Sequence, residues 1–522
     1  MTKVDHLLAA VGLARTHTRR KRTQSAMRYH GGEVTRLTGD WRTMSGSADQ
    51  SIRGYLTELI ARSRQLERDN DYARRYLNAL SNNVLGADGI SLQNKAKNSR
   101  GGLNKLANQR VEDAWKRWGK KKNCTLNQED GWVDVQNMVM RTTPRDGGIF
   151  WRPVMGADND FGFALELIEI DQLDFNYTGI APNGNMIFMG VERNSMNRVT
   201  AYHMFTDHPG NTLSRNRHKR ERIPSTDIHL YYVKERVNQS IGVPWFSSAM
   251  TRMHFLNKYE EAEVIAARAG AEKGGWFQSD RGEQFAGDEE TSVDEDGNKI
   301  TNTLNDFEPG AFDELPAGMS FTPYNPTHPN QVFPDFVRGT LYGISAGLNI
   351  DYATLTNDLS EANYSSMRSG KLESQETWKG TQGHLIRNFV QEVFDKWLPM
   401  AALSGELGIS YGQLDSINNP LFRGRRWPWV DPSKDVNAAV LSVMHGLDTK
   451  TNIVAQNGGD YEDNVDTRKE EMGMEKEAGV TFGEPKPVQG KPEDAKKPAG
   501  KKPDAEDDDE EETEDDEEEG KE

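Results

Sequence analysis

The sequence predicts an α+β protein that is mainly helical. Several long segments carry apolar residues at helical spacing, whereas the segment from about residue 132 to 235 contains runs in which apolar and polar residues alternate, as they do in strands. Only 35% of the 522 residues are apolar, and no run approaches the roughly 18 apolar residues of a membrane span. We therefore expect several domains and no membrane partner.

Charge is distributed unevenly along the chain, whose formal net charge is −17. Residues 1–30 contain seven Lys and Arg against one Asp, whereas residues 484–522 contain 18 Asp and Glu against seven Lys. We expect a basic extended arm over 1–50 and a disordered acidic tail over 483–522, because such compositions cannot bury a core. The acidic body argues against tight, nonspecific wrapping of nucleic acid, which requires many cations.

The helices and strands are predicted from spacing. Apolar residues indicate one helix over 55–84, with polar steps at Ser63 and Asn70 and a stop at Gly86, and a second over 103–118. Antiparallel strands follow. The alternating runs lie near 161–170, 185–192, 200–206 and 228–233.

Two further helices flank a segment rich in Gly, Pro and Asp. The first begins at Pro244 and runs to about residue 272, before Gly274 and Gly275. The second covers 333–348 and carries a glycine every four residues. These are Gly339, Gly343 and Gly347. Each costs about 1 kcal/mol of helix propensity relative to alanine, so three on one face indicate a close helix contact there.

A polar loop then precedes a very long helix, in the stretch GLNIDYATLTNDLSEANYSSMRSG at 347–370. Ser360 is the predicted N-cap, and Pro399 is predicted to stop the helix after Leu398. At ~1.5 Å per residue, the helix would span about 57 Å. Its apolar seam consists of Trp378, Leu385, Phe389, Val393 and Trp397. Residues 436–457 are also predicted to be helical.

No segment predicts catalysis, a metal or a cofactor. The sequence lacks GxxxxGK[ST], HExxH, CxxC and GxSxG. The histidines, such as His203 with His208 or His218 with His229, would become metal ligands only through an accidental tertiary arrangement. The single cysteine, Cys124, excludes an intrachain disulfide and is predicted to be packed rather than nucleophilic. RGRRWPWVDP at 423–432 fits either a nucleic-acid strand or a loop held by Trp427 and Trp429.

Five segments occur in an order that is specific to one family. They are RSRQLERDNDYARRYLNALSNNVLGADGISLQ at 62–93, IGVPWFSSAMTRMHFLNKYEEAEVIAARA within 241–272, EPGAFDELPAGMSFTPYNPTH at 308–328, ISAGLNIDYATLTNDLSEANYSSMRS at 344–369 and WPWVDPSKDVNAAVLSVMHGLDTKTNIVAQNGGD at 427–460. Together they resemble the lambda-family portal proteins of tailed bacteriophages. The resemblance covers about residues 25–475 and leaves out the first 24 residues and the acidic tail.

The resemblance implies a ring, usually of twelve subunits, in which each subunit has a wing, a stem, a clip and a crown. The implied segments are the wing at 51–243, the first stem helix at 244–275, the clip at 276–328, the second stem helix at 329–348, the tunnel loop at 349–360, the long helix and wing return at 361–435 and the crown at 436–482.

The resemblance also implies that the loop touches moving duplex DNA. The DNA-facing residues would be Asn349, Asp351, Thr354, Thr356, Asn357, Asp358 and Ser360. Asp351 and Asp358, repeated round a ring, would repel phosphates and keep the DNA centred, whereas the amide and hydroxyl groups would form weak, exchangeable hydrogen bonds. Gly339, Gly343 and Gly347 would let helices crowd round a narrow channel.

The implied function is a head–tail connector at one capsid vertex of the virion, assembled in the host cytoplasm. Its partners would be further copies of itself, the terminase large subunit, the major capsid protein and scaffold, and head-completion or adaptor proteins. It would conduct double-stranded DNA without sequence specificity. Two alternatives are a packaging-motor component, which would need the missing phosphate loop, and a capsid scaffold without a channel, which the crowded helices disfavour.

Overall fold

The computed structural model describes only part of the chain. The described residues are 36, 40, 45–271, 275–279, 288–293, 299–304, 319–323, 332–360, 364–427, 432–456 and 461–479. The predicted acidic tail, nearly all of the predicted arm and Trp429 lie outside them. The chain divides into two compact units, residues 1–458 and 459–522, and the only described element of the second unit is a helix over Tyr461–Ala478.

The protein mixes helices and sheets, as predicted. The described helices are α1 (Ala48–Arg53), α2 (Leu56–Asp69), α3 (Asp71–Val84), α4 (Lys105–Trp118), α5 (Lys121–Cys124), α6 (Trp132–Asp146), α7 (Met250–Ala271), α8 (Phe333–Leu348), α9 (Tyr352–Thr356), α10 (Tyr364–Leu385), α11 (Gln391–Leu403), α12 (Leu414–Ile417), α13 (Pro432–Met444), α14 (Lys450–Gln456) and α15 (Tyr461–Ala478). Short 3₁₀ turns lie at Ile170–Gln172, Trp245–Ser248 and Tyr411–Gln413, and a π turn lies at Ile386–Val390. No described helix is long and apolar enough to cross a membrane.

The described strands pair with one another in antiparallel fashion. The strands are β1 (Ser91–Asn94), β2 (Gly148–Met155), β3 (Phe163–Ile168), β4 (Gly179–Ile180), β5 (Met186–Phe188), β6 (Val191–Arg193), β7 (Val199–Phe205), β8 (Arg220–Pro224), β9 (His229–Tyr232), β10 (Gly275–Ser279), β11 (Asp288–Val293), β12 (Lys299–Leu304), β13 (Met319–Pro323) and β14 (Pro420–Arg423). They form sheets in the orders β3-β2-β9 and β4-β5-β6-β7-β8. Three further pairs are β1 with β14, β10 with β13 and β11 with β12.

The first predicted helix is in fact two helices. The prediction of one helix over 55–84 is wrong, because Asn70 adopts an extended backbone with φ −126° and ψ 125° between α2 and α3. The Asn70 side chain accepts a hydrogen bond from the Ala73 N–H and so caps the second helix. The apolar spacing continues across the break, which explains why the pattern alone suggests a single helix.

The β3-β2-β9 sheet separates the two main apolar clusters. Successive side chains of a strand point to opposite faces, and β2 follows this rule. Ile149 and Trp151 are buried in the cluster formed with the long helices, whereas Phe150 is buried on the other face with Ile52 and Leu56. Because both faces are covered, β2 lacks the polar alternation of a half-exposed strand, and the sequence analysis does not predict it.

An ion-pair network ties α2 to the end of α6. The Asp146 carboxylate is fully buried and accepts hydrogen bonds from Arg64 and Arg145, with N–O distances of 2.9 and 2.8 Å. The next residue, Gly147, has φ +91°, and a Cβ there would lie 2.7 Å from the carbonyl oxygen of Gly242. The turn from α6 into β2 therefore requires glycine at this position.

The long helix continues past its predicted end. α10, the π turn and α11 run without interruption from Tyr364 to Leu403, so the prediction that Pro399 stops the helix is wrong. Proline removes one backbone hydrogen bond, but burial of Ala401 and Ala402 holds the final turn in place. All five residues of the predicted seam are buried, and four of them follow one another at intervals of four. On a helix of 3.6 residues per turn, side chains four residues apart move gradually around the helix axis. The wider π turn compensates for this rotation and keeps the seam on one face.

Candidate functional site

The two helices α7 and α8 pack against each other at one end. Met253 and Leu256 of α7 belong to the same buried cluster as Leu341 and Ile344 of α8. The prediction of a helix beginning at Pro244 is correct in position, although the first turn, Trp245–Ser248, is 3₁₀ and α7 proper begins at Met250. α8 covers the predicted residues 333–348.

The three glycines of α8 have different surroundings. At Gly347 the Ser248 hydroxyl donates to the carbonyl oxygen at 2.6 Å, and a Cβ would lie 3.4 Å from the Ala249 Cβ. At Gly343 the Arg252 guanidinium occupies the space in which a Cβ would sit. At Gly339, no described atom beyond its chain neighbours and the backbone of α8 lies within 4 Å of a would-be Cβ. Two of the glycines therefore lie under groups of the first helix, whereas Gly339 faces open space in the single chain.

Both helices expose large apolar side chains on their outer faces. Phe255, Val264 and Ile265 of α7 are 66%, 68% and 60% exposed. On α8, Phe336 is 53% exposed and packs edge-on against Tyr259, with ring centroids 5.1 Å apart. Large exposed apolar side chains on two packed helices are typical of an interaction surface.

The polar segment 349–360 contains a short helix, which the sequence analysis does not predict. Asn349 has a left-handed backbone with φ 53° and caps the end of α8. Asp351 is the N-cap of α9, since its Oδ2 accepts a hydrogen bond from the Thr354 N–H at 3.1 Å. Asn357, with φ 61°, caps the other end of α9. Much of the polarity of this segment therefore serves local backbone capping.

Asp358 organises the end of the loop. Its Oδ1 accepts hydrogen bonds from the Ser360 N–H and hydroxyl, at 3.0 and 2.6 Å, and its Oδ2 accepts one from the Tyr352 hydroxyl at 3.2 Å. The bonds from Ser360 are the main reason that the pKa of Asp358 lies below its usual range. The group is therefore a carboxylate at neutral pH. The Thr356 hydroxyl bonds locally to the Tyr352 carbonyl oxygen.

The loop is anchored to the body of the subunit at several points. Leu355 is buried in the main core, and the Arg75 Nε donates to the Thr354 carbonyl oxygen at 3.0 Å. The Tyr342 and Tyr352 rings stack at 4.4 Å. Asp351 also lies against Gly370 of α10, where a Cβ would be 2.9 Å from its Oδ1. The exposed residues of the loop are Asn349 at its start and the corner formed by Asn357, Leu359 and Ser360 at its end.

The sequence pattern was not interpreted as a helical turn, although the residues that cap α9 are visible in it. An Asp three residues before a Thr, followed by an Asn three residues later, is a usable pattern for a capped helical turn. The contacts of Arg75 and Gly370 depend on tertiary structure, and nothing in the local sequence indicates them.

The remaining candidates from the sequence are the single cysteine, possible metal ligands and the basic, aromatic segment at 423–432. Cys124 is buried, as predicted, and burial raises the pKa of its thiol far above the usual value. Among the described residues, Glu169, Asp171 and His208 bring three ligand atoms within 4.8 Å of one another. The Arg64 guanidinium pairs with Asp171 at 2.5 Å and opposes a cation there. Trp427 packs on Trp378, with ring centroids 5.9 Å apart, which supports the held-loop interpretation for the described part of 423–432.

The arrangement of α7, α8 and the α9 loop is that of a structural component of an assembly, because its polar groups hold backbone in place and its apolar groups face outward. A comparison with protein families makes this class specific. The family described as "Phage portal protein, lambda family" matches residues 34–382, which is more than half of the chain. The chain therefore belongs to the lambda family of phage portal proteins, a structural and non-enzymatic family of head–tail connectors.

Curated relatives agree with this assignment. A probable portal protein of Halomonas phage phiHAP-1 is 30% identical over 449 residues, which is 85% of this chain and 86% of the relative. Portal protein B of Escherichia phage lambda is 21% identical over 468 residues, covering 83% of this chain and 87% of the relative.

Distant similarity extends to solved particles. A chain of the virion of a native gene transfer agent particle aligns with 12% identity and a TM-score of 0.39, covering 78% of this chain and 93% of that chain. A chain from the neck of the native particle, computed with C12 symmetry, aligns with 12% identity and a TM-score of 0.37, covering 76% and 93%.

Proposed function

We propose that this protein forms a twelve-subunit portal ring at one capsid vertex. The ring nucleates head assembly, docks the terminase motor, conducts double-stranded DNA in during packaging and out during ejection, and connects the head to the tail through adaptor proteins. α7 and α8 are the stem helices, residues 276–328 the clip, 349–360 the tunnel loop and 436–482 the crown.

The observation that carries this proposal is the exposed apolar surface of the stem helices. Phe255 and Ile265 would be solvent-exposed in a monomer, although burying a side chain of this size stabilises a contact by about 1.5–3 kcal/mol. A neighbouring subunit in a ring supplies the missing partner. Gly339, whose outer side is open in the single chain, gives that neighbour a place for close approach.

The tunnel loop has two tasks in this proposal. Its capping groups set the shape of the loop, and the exposed corner at Asn357 to Ser360 faces the DNA. The ionised Asp358 lies next to this corner and repels phosphates, while Asp351 adds a second carboxylate behind it. Repeated around a ring, these carboxylates keep the duplex centred, because they offer no cation for phosphates to bind.

The test is to remove the charges without removing the caps. Asn is as good an N-cap as Asp, so Asp351→Asn with Asp358→Asn keeps the hydrogen-bond acceptors and neutralises the loop. We expect rings to form normally and the rate of DNA packaging to fall several-fold in an assay that supplies terminase, proheads and linear DNA. An unchanged packaging rate would remove the electrostatic role of the loop from the proposal.

A matched variant separates charge from shape. Asp351→Ala alone removes one charge and also the cap of α9, whose loss costs about 1 kcal/mol locally. If this variant impairs packaging and the double Asn variant does not, the loop acts through its shape alone.

A further inference from the structure

The connection between α4 and α5 forms a concentrated basic surface in a body whose net charge is negative. Five of the seven residues from 116 to 122 are Lys or Arg, and we call this segment the lysine turn. All five cationic side chains are exposed, while Trp118 in their midst is buried.

The fold accounts for only two of these five cations. Arg117 pairs with Glu406 at 2.5 Å and lies over the Phe161 ring, and Lys122 pairs with Asp160 at 3.0 Å. Within the part of the chain that the structure describes, Lys116, Lys120 and Lys121 have no side-chain partner.

The helix dipole explains the position of only one of the three remaining lysines. Lys116 lies in the last turn of α4, where a cation is favoured by the helix dipole. Lys120 and Lys121 lie at the start of α5, where no such benefit exists. Glu129, Asp130 and Asp134 are the acidic residues that follow this turn along the next connection, and the Asp134 carboxylate already accepts a hydrogen bond from the Gly131 N–H at 3.0 Å.

The backbone beneath the lysine turn is held rigidly. The Trp118 Nε1 donates to the Phe163 carbonyl oxygen at 3.0 Å, and the Trp132 N–H donates to the Gly119 carbonyl oxygen at 2.8 Å. The Asn123 side chain donates to the Arg117 carbonyl oxygen at 3.2 Å. The lysines are therefore presented from a fixed platform rather than from a loose loop.

We propose that the lysine turn is a binding site for the phosphates of duplex nucleic acid, separate from the tunnel loop. Lysine is depleted at protein–protein interfaces, and the segment exposes no aromatic or aliphatic side chain that would anchor a protein. Flexible point charges suit sequence-independent, exchangeable phosphate contacts. The lack of an exposed aromatic ring disfavours single strands, which bind by stacking. The site does not depend on ring formation or on the channel.

The test compares two triple variants of the full-length protein. Lys116→Gln, Lys120→Gln and Lys121→Gln neutralise the lysine turn. The control, Lys97→Gln, Lys450→Gln and Lys469→Gln, removes the same charge from exposed lysines elsewhere. Binding of a fluorescent 30-base-pair duplex is followed by anisotropy from 50 to 300 mM NaCl. Each lost phosphate contact should lower the slope of log K against log salt by about 0.9.

We expect the lysine-turn variant to lose about tenfold or more in affinity and about 2 to 3 in slope, and the control to change little. The corresponding triple Lys→Arg variant should retain binding, since the charges remain. Equal losses in both Gln variants would show an effect of net charge alone and overturn the proposal, as would unchanged binding in both. Binding of fluorescent poly-glutamate is measured in the same way. If the lysine-turn Gln variant binds poly-glutamate more weakly but DNA as well as the wild type, the proposal is overturned in favour of an acidic protein partner.

Discussion

The body around the β3-β2-β9 sheet and the α7–α8 pair differ in how each handles its large apolar side chains. In the body, Trp118, Trp151 and Trp397 are completely buried, and the charged Asp146 is buried with two arginines. In the helix pair, one end joins this core, whereas Phe255 and Ile265 face solvent. The body builds its core within one chain. The helix pair leaves large apolar side chains exposed on both of its helices.

This difference predicts which substitutions should change the unfolding of one chain and which should change its association. Substitutions in the body should change the unfolding of one chain, at any protein concentration. Substitutions on the outer faces of α7 and α8 should change association instead and leave the unfolding of one chain nearly unaltered.

The largest effect is expected at Asp146. Asp146→Ala removes the buried partner of Arg64 and Arg145, whose remaining carboxylates are Asp171 and Glu67, and removing one partner of a buried ion pair lowers the free energy of unfolding by about 3–5 kcal/mol. Chemical denaturation followed by tryptophan fluorescence measures this loss. The exposed pair of Glu376 with Lys379 is the control, because Glu376→Ala should cost less than about 1 kcal/mol. Equal costs would contradict the buried network.

The next effect is a loss of stability in acid. The His229 ring stacks on Trp151, and burial lowers its pKa to about 4. Between about pH 6.5 and 4, the unfolded chain therefore binds a proton that the folded chain does not. As the pH decreases through this window, the free energy of unfolding decreases by up to about 3 kcal/mol. In His229→Phe, which keeps an aromatic ring, denaturation midpoints should depend less on pH there. An equal pH dependence would refute this source of acid sensitivity.

A somewhat smaller effect per side chain is expected on the helix pair. Phe255→Ser with Ile265→Ser should weaken each subunit contact by about 1.5–3 kcal/mol per side chain, because less apolar area is buried on association. Analytical ultracentrifugation should show rings shifting to smaller species, with the unfolding of one chain unchanged. Leu106→Ser with Leu403→Ser, which alters equally exposed residues of the body, is the control. If the control variant loses its rings and the Phe255→Ser, Ile265→Ser variant keeps them, the subunit contact lies on the body and not on the helix pair.

The smallest effect is expected at Gly339. Gly339→Ala adds a methyl group to open space and should stabilise α8 in a single chain by about 1 kcal/mol. The same methyl group should hinder ring closure if a neighbour packs there. Thermal unfolding and native mass spectrometry together would separate the two effects. Rings that form as readily as in the wild type would exclude Gly339 from the subunit contact.

The sequence predicts most of the helices because their buried faces repeat every three to four residues. It misses features that periodicity does not encode. The break at Asn70 preserves the apolar spacing, and β2 is covered on both faces and so does not alternate. Pro399 is a sound stop signal by itself, but burial of the turn that follows outweighs the lost hydrogen bond.

The position of α8 and of the polar loop was predictable, but their contacts were not. The glycines of α8 indicate close packing, yet only the tertiary structure distinguishes Gly343 and Gly347, which lie against groups of the first helix, from the open Gly339. The polar loop suggests contact with DNA, whereas the structure shows that Asp351 and Asn357 cap α9. Polar residues at a turn satisfy the backbone first, and composition alone cannot separate this role from an outward-facing one.

The most direct test of the central claim is negative-stain imaging of the purified protein, with class averages viewed along the symmetry axis. We expect closed rings with a central hole wide enough for duplex DNA. Monomers or small asymmetric particles across a range of salt and protein concentrations would contradict the claim that the exposed faces of α7 and α8 close a ring.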